Sequence, residues 1–275
     1  MPELPEVETI RKSVKPHLLE KRVQNALFYR SDILRGSEDC PISSAQEFTK
    51  GKRIRDVGRC GKYLILMFQG GEGWAVHFGM SGTLSMSEVS GSTDKHTHVV
   101  LHLEDGSYLN YRAPRRFGHW LMCKGSVDQA LNKKIGKDAL SGELDSELFT
   151  SILGGSRARI KSRLLDQGLI AGLGNIYTDE SLFRAQIHPT RPADSLEKKE
   201  WEDLHESVTV VLREAIDNCG TTFDAFRDGR GQPGENSVNL RVYGREGESC
   251  TRCEHKVQKI KVVGRGTHIC PGCQQ

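Results

Sequence analysis

The spacing of four cysteines near the C-terminus constrains the fold more than any other feature of the sequence. Cys250 and Cys253 form one Cys-x-x-Cys pair, Cys270 and Cys273 form another, and residues 254–269 separate the two pairs. This spacing lets four thiolates surround one Zn²⁺ as a tetrahedron. Because four protein ligands leave no open position, we expect one structural zinc ion. Two disulfides or four idle thiols are the alternatives.

The segment between the two cysteine pairs has the pattern of a β-hairpin. Residues 259–263, Lys-Ile-Lys-Val-Val, alternate like a strand, and Gly264-Arg265-Gly266 is typical of a turn. The sequence therefore predicts a zinc-braced β-hairpin finger with Arg265 at its tip. An arginine on such a turn is well placed to meet a phosphate group.

Composition places the chain among ordinary globular proteins. Its 275 residues are enough for two domains, and no apolar run approaches the length of a membrane span. The N-terminus lacks the order of a signal peptide, and the other four cysteines are scattered singly, as free thiols in a reducing compartment often are. We therefore expect a cytoplasmic protein and, by default, a monomer.

The net charge of +3 is too mild to indicate a nucleic-acid partner by itself. Basic residues are nevertheless concentrated in residues 241–275 and in a run that recurs at every second position, formed by Arg157, Arg159, Lys161 and Arg163. These residues are candidate phosphate contacts. A solvated charged surface is the alternative for each of them.

Strand-like patterns fill the first half of the chain after a short helix. Pro5 suits a first helical turn, and Lys15-Pro16 should end that helix. Strands are predicted at residues 22–29, 62–69 and 73–78, with a hairpin around Asp105-Gly106. We expect this half to be a β-sandwich or barrel.

Helical patterns dominate the second half of the chain. Residues 124–146 are polar and weakly periodic, so we expect a connection between domains there. Helices are predicted at 161–167 and 176–185, separated by glycine-rich turns that could aim N–H groups at a phosphate. An apolar stripe between Trp201 and Ala215 predicts another helix, whose stripe lies in the core.

The N-terminus carries a candidate nucleophile. Removal of Met1 would leave Pro2 with a secondary amine, which is partly unprotonated at neutral pH and can attack an electrophilic carbon. Glu3 and Glu6 follow it closely. From these residues alone, the better explanation is that the glutamates only interact favourably with the helix dipole in the first turn.

Five motifs, taken together, favour the chemical explanation instead. They are residues 2–9 (Pro-Glu-Leu-Pro-Glu-Val-Glu-Thr), 77–82 (His-Phe-Gly-Met-Ser-Gly), 114–118 (Pro-Arg-Arg-Phe-Gly), 172–177 (Gly-Leu-Gly-Asn-Ile-Tyr) and the cysteine module. In this order, over nearly the whole chain, the sequence resembles the formamidopyrimidine-DNA glycosylase family. The resemblance implies an α+β fold with an N-terminal β-sandwich and flanking helices at 1–133, a helix-two-turn-helix domain at 134–238 and a zinc-braced β-hairpin finger at 239–275.

The resemblance also implies an activity, that of a bifunctional DNA glycosylase and abasic-site lyase of base excision repair. Its substrate would be double-stranded DNA with oxidised purines. Pro2 would attack C1′ of the damaged nucleotide and form a Schiff base, while Glu3 would act as general acid. Lys62 matches the family residue linked to β-elimination, and Arg265 matches the one linked to δ-elimination.

Further residues match family positions that contact DNA. Met80, Arg115 and Phe117 would fill the space left by a flipped-out base. The other positions that match or lie near family contacts are Glu6, His77, His96, Arg157, Lys161, Asn175 and Tyr243. No obligate protein partner is implied, and DNA binding would bring the cytoplasmic protein to the nucleoid.

The sequence departs from the family pattern at two places. Ala113 stands where the family usually has Asp, which could loosen the loop that carries Arg115 and Phe117. Glu235-Asn236-Ser237 follows Pro233-Gly234, where the base-capping loop of the family usually has an aromatic pair. The preferred lesion therefore stays open.

Two other functions compete with this interpretation. An endonuclease VIII-like glycosylase for oxidised pyrimidines usually begins Pro-Glu-Gly-Pro-Glu, whereas this chain has Leu4 and an intact 114–118 motif. A non-catalytic, zinc-containing DNA-binding protein would leave Pro2 and Glu3 unexplained. The sequence has no evident two-metal carboxylate cluster of the kind a metal-dependent nuclease uses.

Overall fold

The computed structural model describes residues 1–36, 40–91, 94–223 and 226–275. The chain forms two compact units. Unit 1 comprises Met1–Lys134 and Asn218–Glu235, and unit 2 comprises Ile135–Asp217 and Asn236–Gln275. Within the described ranges, no helix is both long enough and apolar enough to cross a membrane.

Unit 1 is built mainly of strands. Its elements are α1 (Leu4–Leu18), β1 (Val23–Phe28), β2 (Leu34–Arg35), α2 (Ile42–Thr49), β3 (Ile54–Cys60), β4 (Tyr63–Phe68), β5 (Gly73–His77), β6 (Thr83–Ser87), β7 (Thr97–Leu103), β8 (Tyr108–Arg112), β9 (His119–Cys123) and α3 (Val127–Asn132). They form a four-stranded sheet in the order β1-β7-β8-β6 and a five-stranded sheet in the order β2-β9-β5-β4-β3. The predicted hairpin at Asp105-Gly106 is confirmed as the turn between β7 and β8.

An aromatic cluster joins the two sheets of unit 1. Phe28 of β1 packs on Trp74 of β5 with ring centroids 5.3 Å apart, and Tyr111 of β8 meets Trp120 of β9 at 5.6 Å. All four side chains are buried. Two sheets with their apolar faces together confirm the predicted sandwich.

Helix α1 packs against β3 and β4 of the five-stranded sheet. Its apolar stripe, which includes Val7, Ile10 and Val14, is fully buried. The prediction that Lys15-Pro16 ends the helix was wrong, because the helix continues to Leu18. Leu18 is buried in the core, and this packing outweighs the hydrogen bond that Pro16 cannot donate.

Unit 2 is mainly helical. Its elements are β10 (Lys137–Asp138), α4 (Ser146–Gly154), α5 (Ile160–Leu165), β11 (Ile170–Ala171), α6 (Asn175–Arg184), a 3-10 turn (Ala193–Ser195), α7 (Lys198–Asp217), a second 3-10 turn (Asn236–Asn239), β12 (Gln258–Val262) and β13 (Arg265–Ile269). The predicted helices at 161–167 and 176–185 are thus confirmed to within two residues. The stripe on α7 is buried at Trp201, Leu204, Val208, Leu212 and Ala215.

The double turn between α5 and α6 is held by one side chain. The Gln167 amide donates to the carbonyl oxygens of Leu165 and Leu173 at 2.9 and 2.8 Å, and its Oε1 accepts from the Gly172 N–H. Gly172 has φ +120°, a conformation that favours glycine. The sequence thus fixes both the double turn and the direction in which α6 begins.

Residues 124–146 are more structured than the predicted connection. They contain α3, whose Val127 and Leu131 are buried at helical spacing, and β10, which pairs with β11. The periodicity is weak because α3 has only six residues and β10 only two.

A buried ion pair joins α5, α6 and β13. Lys161 Nζ lies 2.6 Å from Asp179 Oδ1 and donates to Thr267 Oγ1 at 2.7 Å, and both charged side chains are fully inaccessible to solvent. The other Asp179 oxygen accepts the backbone N–H of His268 at 2.9 Å. The two charges therefore compensate each other in the interior of unit 2.

We predict that Lys161→Met lowers the free energy of unfolding by about 3–5 kcal/mol, because it leaves Asp179 buried without its cation. Urea unfolding followed by far-ultraviolet circular dichroism would measure the loss, since helices α4 to α7 belong to unit 2. Lys199→Met is the matched control: Lys199 pairs with Asp203 on an exposed face of α7, so its loss should stay below about 1 kcal/mol. Equal losses in the two variants would contradict the prediction.

Candidate active site and metal centre

The start of α1 is capped by two glutamates. Glu3 and Glu6 form a reciprocal capping box, in which the Glu3 N–H donates to Glu6 Oε2 at 2.8 Å. Pro2 and both glutamates are buried, with Glu3 only 3% exposed. Glu6 Oε1 also accepts the backbone N–H of Thr221 at 2.8 Å, so Glu6 ties α1 to the segment that begins at residue 218.

Lys62 lies in the turn between β3 and β4 and is buried. Arg59 supports this turn, because it donates to the Gly61 carbonyl at 3.1 Å and lies 3.3 Å from Glu8 of α1. The turn and the first helix are therefore linked through Arg59. Lys62 is also close enough to His77 for its charge to lower the pKa of that imidazole.

Three rings form a stacked row across β4, β5 and β9. Tyr63 pairs with His77, and His77 pairs with His119, in the strand register. The two imidazoles stack with centroids 5.2 Å apart, and the Tyr63 hydroxyl lies 3.2 Å from His119 Nε2. Burial, followed by nearby positive charge, lowers the pKa of both histidines to about 4. At neutral pH, His77 is therefore uncharged, and its Nδ1 accepts the Gly79 N–H.

Two loops bring Met80, Arg115 and Phe117 together. A Cβ atom at Gly79, which has φ +60°, would lie 2.4 Å from backbone atoms of Phe117 and its successor, so only glycine allows the loops to touch. The Arg115 guanidinium lies 5.1 Å from the centroid of the Phe117 ring. Met80 and Phe117 are 45% and 59% exposed, an unusual state for apolar side chains of this size.

The 113–118 loop is closed by backbone hydrogen bonds. The Ala113 carbonyl accepts the Arg116 N–H at 3.0 Å and lies 3.1 Å from His98 Nε2, while the Ala113 N–H donates to the His96 carbonyl. Ala113 is buried. The His96 side chain is half-buried beside this loop entrance.

In unit 2, the finger tip meets the start of α6. Asn175 Nδ2 donates to the carbonyl of Gly266 at 2.8 Å. The prediction of a turn at Gly264-Arg265-Gly266 was wrong by one residue, because the turn is Val263-Gly264 and Arg265 is the exposed first residue of β13, where it pairs with Val262. Asn175 Oδ1 is buried and has no hydrogen-bond partner within the described residues. Tyr243 packs edge-on against His268, with ring centroids 4.8 Å apart.

The basic run around residue 160 divides into exposed and interior positions. The Arg157 side chain is 95% exposed and lies 3.7 Å from Asp194, whereas Lys161 is the buried partner of Asp179. Arg163 donates to the carbonyls of Ile152 and Leu153. The sequence predicted that these basic residues form one row of phosphate contacts. In the structure, Arg157 is exposed to solvent, whereas Lys161 is buried inside unit 2.

Sequence reasoning missed two acidic residues and one arginine that hold the C-terminal segment on α6. Asp179 binds β13, and Glu180 accepts the backbone N–H groups of residues 241–243 at 2.8–2.9 Å. Burial raises the pKa of Glu180. Arg252 stacks on Phe183 at 4.8 Å and donates to the last carbonyls of α6. Sequence spacing carried no signal for contacts between residues this far apart in the chain.

The four cysteines of the finger converge as predicted. Their sulfur atoms all lie within 4.8 Å of one another, with individual separations of 3.4, 3.5 and 3.8 Å. A tetrahedral zinc site with Zn–S bonds of about 2.3 Å requires sulfur separations of about 3.8 Å. All four are free thiols, so the arrangement is suited to one structural zinc ion and not to two disulfides.

Comparison with known proteins gives matches along the chain. Residues 1–120 match the formamidopyrimidine-DNA glycosylase N-terminal domain, residues 135–226 match the H2TH domain of formamidopyrimidine-DNA glycosylase, and residues 247–275 match the zinc finger found in FPG and IleRS. Formamidopyrimidine-DNA glycosylases from Herpetosiphon aurantiacus and Vibrio vulnificus are each 39% identical, with 100% of both chains covered.

Solved structures give the same result. A complex between a Lactococcus lactis FPG mutant and a Fapy-dG containing DNA has a TM-score of 0.90 at 35% identity. A complex between the Lactococcus lactis enzyme and an abasic site containing DNA has a TM-score of 0.88 at 35% identity. In both comparisons 100% of each chain is covered.

A sandwich domain, a helix-two-turn-helix domain and a four-cysteine finger in this order define a zinc-finger DNA glycosylase. Proteins of this class are enzymes of base excision repair. The alternative raised from the sequence, a non-catalytic DNA-binding protein, is therefore wrong. The chain belongs to the formamidopyrimidine-DNA glycosylase family.

We predict that the protein carries about one zinc ion per chain and that Cys270→Ser abolishes this binding, because three thiolates cannot complete the tetrahedron. Inductively coupled plasma mass spectrometry on the purified protein would measure the ratio. Cys40→Ser, which removes a thiol outside the cluster, should keep the zinc. A wild-type protein without zinc, or a Cys270→Ser variant that retains it, would contradict the assignment.

We predict that the stability of unit 1 falls as the pH drops from about 6.5 towards 4. Because the pKa of His77 and of His119 is about 4 in the folded state and about 6.5 in an unfolded chain, the unfolded state binds more protons in this window. In His119→Phe, the loss of unfolding free energy between pH 7 and pH 5 should be smaller by up to about 2 kcal/mol.

Urea unfolding at the two pH values would test this prediction, with His17→Phe at an exposed position of α1 as the matched control. The control should keep the wild-type pH dependence. An unchanged pH dependence in His119→Phe would show that the stacked histidines do not contribute to it.

Proposed function

We propose that this protein removes oxidised purines, namely formamidopyrimidines and 8-oxoguanine, from double-stranded DNA and then cleaves the strand at the abasic site. The observation that carries the proposal is the buried Glu3, which the capping box holds at the start of α1, one residue after the buried Pro2. Among structurally similar proteins, Lactococcus lactis enzymes are known in complex with Fapy-dG DNA and with abasic-site DNA.

Base excision would use Pro2 and Glu3 together. The Pro2 nitrogen, freed by removal of Met1, attacks C1′ of the damaged nucleotide and forms a C–N bond. The bond between C1′ and the base breaks, and the departing base takes up the proton that the Pro2 amine loses. Glu3 protonates the ring oxygen of the sugar, so the C1′–O4′ bond breaks and the ring opens. The product is an iminium ion that links the protein to DNA. The capping box supports this role because it holds Glu3 at the start of α1, in the residue that follows Pro2.

Strand cleavage would follow from the iminium ion. Its positive charge acidifies the C2′ proton, and loss of that proton expels the 3′ phosphate; a second elimination expels the 5′ phosphate. Lys62 serves β-elimination and Arg265 serves δ-elimination in this scheme. The exposed position of Arg265, directly after the turn of the four-cysteine finger hairpin, suits a phosphate contact.

Base flipping would use the two touching loops of unit 1. A base inside the duplex must leave the stack before it can react, and the vacated space must be filled. Met80 and Phe117 are exposed apolar side chains that can wedge between bases, and Arg115 can hydrogen-bond to the unpaired partner base. We call residues 113–118 the void-filling loop.

The other predicted DNA contacts differ in how directly their positions support them. Arg157 is exposed, while Tyr243, Asn175, His96 and His77 are half-buried. Glu6 and Lys161 are buried, with partners inside the protein, so we propose that they act by shaping the protein around DNA. The three-part division at residues 133/134 and 238/239, and action in the cytoplasm at the nucleoid, are also part of this proposal.

Lesion preference depends on the segment from 220 to 240, of which residues 224 and 225 lie outside the described residues. Gly234 is anchored: its N–H donates to Thr222 Oγ1 at 2.8 Å, and a Cβ atom there would strike the carbonyl of Cys219. Glu235 is exposed. A Lactococcus lactis relative is known in complex with DNA containing an oxidised pyrimidine, so both lesion classes should be tested.

Borohydride trapping on duplexes with 8-oxoguanine, an oxidised pyrimidine or an abasic site tests the proposal. We expect a covalent adduct with the wild-type protein, with the highest yield on 8-oxoguanine among the base lesions, and a loss of at least about 10-fold in Pro2→Gly. In Glu3→Gln, base excision should fall about 10²–10⁴-fold, because the general acid is lost. Cleavage of the preformed abasic site should fall less, because its base has already left.

Glu104→Gln is the matched control, since Glu104 is a glutamate of the β7–β8 hairpin paired with Arg53. It should trap and cleave like the wild type. No adduct on any duplex would overturn the proposed chemistry, and a higher yield on the oxidised pyrimidine would favour the endonuclease VIII-like substrate range.

A further inference from the structure

We infer that Asp32 is a positioning residue for base flipping: it holds the void-filling loop through an ion pair with Arg116. The inference rests on the proposed function of that loop. Asp32 lies in the turn between β1 and β2, remote in sequence from the loop. No sequence motif pointed to it.

The contacts of Asp32 define the arrangement. Arg116 Nη1 lies 2.5 Å from Asp32 Oδ2, and Arg30 Nε lies 3.1 Å from Asp32 Oδ1. Arg30 Nη2 also donates to Oδ2 at 3.5 Å, so two guanidinium groups share the carboxylate. Desolvation would raise the pKa of Asp32, but the hydrogen bond from Arg30 and the charges of Arg30 and Arg116 outweigh it and lower the pKa. The carboxylate is therefore ionised at neutral pH.

Arg116 needs such support because of its backbone. Its φ is +52°, in the left-handed region that residues other than glycine seldom occupy. This conformation turns the chain between Arg115 and Phe117, the two residues that would enter the DNA. Ala113, at the start of the loop, has a methyl side chain that can make no hydrogen bond. Two side chains from outside the loop contact it instead: Ser81 Oγ accepts the Arg115 N–H at 3.4 Å, and Asp32 pairs with the Arg116 side chain.

The turn that carries Asp32 is itself fixed to the strand that follows the loop. The Ile33 carbonyl accepts the Trp120 N–H at 2.8 Å, and β2 pairs with β9 from Leu34 to Trp120. Strand β9 begins at His119, directly after the void-filling loop. The turn that carries Asp32 and the C-terminal end of the void-filling loop are therefore both attached to β9.

The Asp32 and Arg116 side chains are both nearly half exposed. Their exposure distinguishes positioning of the loop from a contribution to the stability of the whole fold. Exposed ion pairs contribute little to the stability of a fold. A pair that positions a functional loop should instead affect the step in which the loop enters DNA. The expected effect is a decrease of about 2- to 5-fold in that step, the range that corresponds to a single exposed ion pair.

The test uses full-length, zinc-loaded protein and a duplex with 2-aminopurine beside 8-oxoguanine, so that fluorescence reports opening of the base stack independently of the chemistry. Asp32→Asn keeps the size of the side chain but removes its charge. We expect its opening rate to fall about 2- to 5-fold, with single-turnover base excision falling in parallel. Arg116→Gln should cause a loss at least as large, and adding Asp32→Asn to it should cause no further loss.

Asp105→Asn is the matched control. Asp105 lies on the β7–β8 hairpin of the same unit, is similarly exposed and pairs with Lys21. Its opening rate should equal that of the wild type. The inference would be overturned if Asp32→Asn opened the base stack at the wild-type rate. It would also be overturned if Asp32→Asn lowered the melting temperature and slowed opening, excision and strand cleavage equally. If the wild type neither opens nor cleaves the duplex, the proposed function fails instead.

Discussion

The buried pair of Lys161 and Asp179 is the interaction on which unit 2 depends. A charge in a protein interior costs several kcal/mol unless an opposite charge and further hydrogen bonds compensate it. Here the compensation comes from α5, α6 and β13 at once, through the Lys161 ammonium, both Asp179 oxygens and the Thr267 hydroxyl. The pair therefore fixes the position of the finger hairpin on the helices.

In unit 1, strand register fixes the relative position of the two loops that carry Met80, Arg115 and Phe117. His77 ends β5 and His119 begins β9, and the two residues face each other across neighbouring strands. The loops that follow β5 and precede β9 therefore leave the sheet side by side. The missing Cβ at Gly79 allows their backbones to touch. Exposed Met80 and Phe117 therefore lie on two loops that contact each other at the edge of a sheet with a buried aromatic core.

Local patterns predicted much of this structure, and the failures have a common cause. The sandwich strands, the double turn and the zinc cysteines follow from alternation, glycine placement and ligand spacing, all of which lie within short stretches. Helix α1 extends beyond Pro16 because Leu18 is buried in the core. Asp179 and Glu180 look like ordinary helix carboxylates in sequence, and only their distant partners reveal them. Lys161 was grouped with exposed arginines because burial has no signature in a single basic residue.

The distance in sequence between α6 and the finger also determines the order in which the protein can assemble. Asp179 precedes its partner His268 by 89 residues, and Lys161 precedes Thr267 by 106. At synthesis rates of about 5–20 residues per second, these charged groups leave the ribosome roughly 5–20 s before the strand that completes their burial. Lys161 and Asp179 can therefore reach their buried arrangement only after the last strand of the finger has been synthesised. Unit 2 completes its packing at the end of synthesis, although its helices are made much earlier.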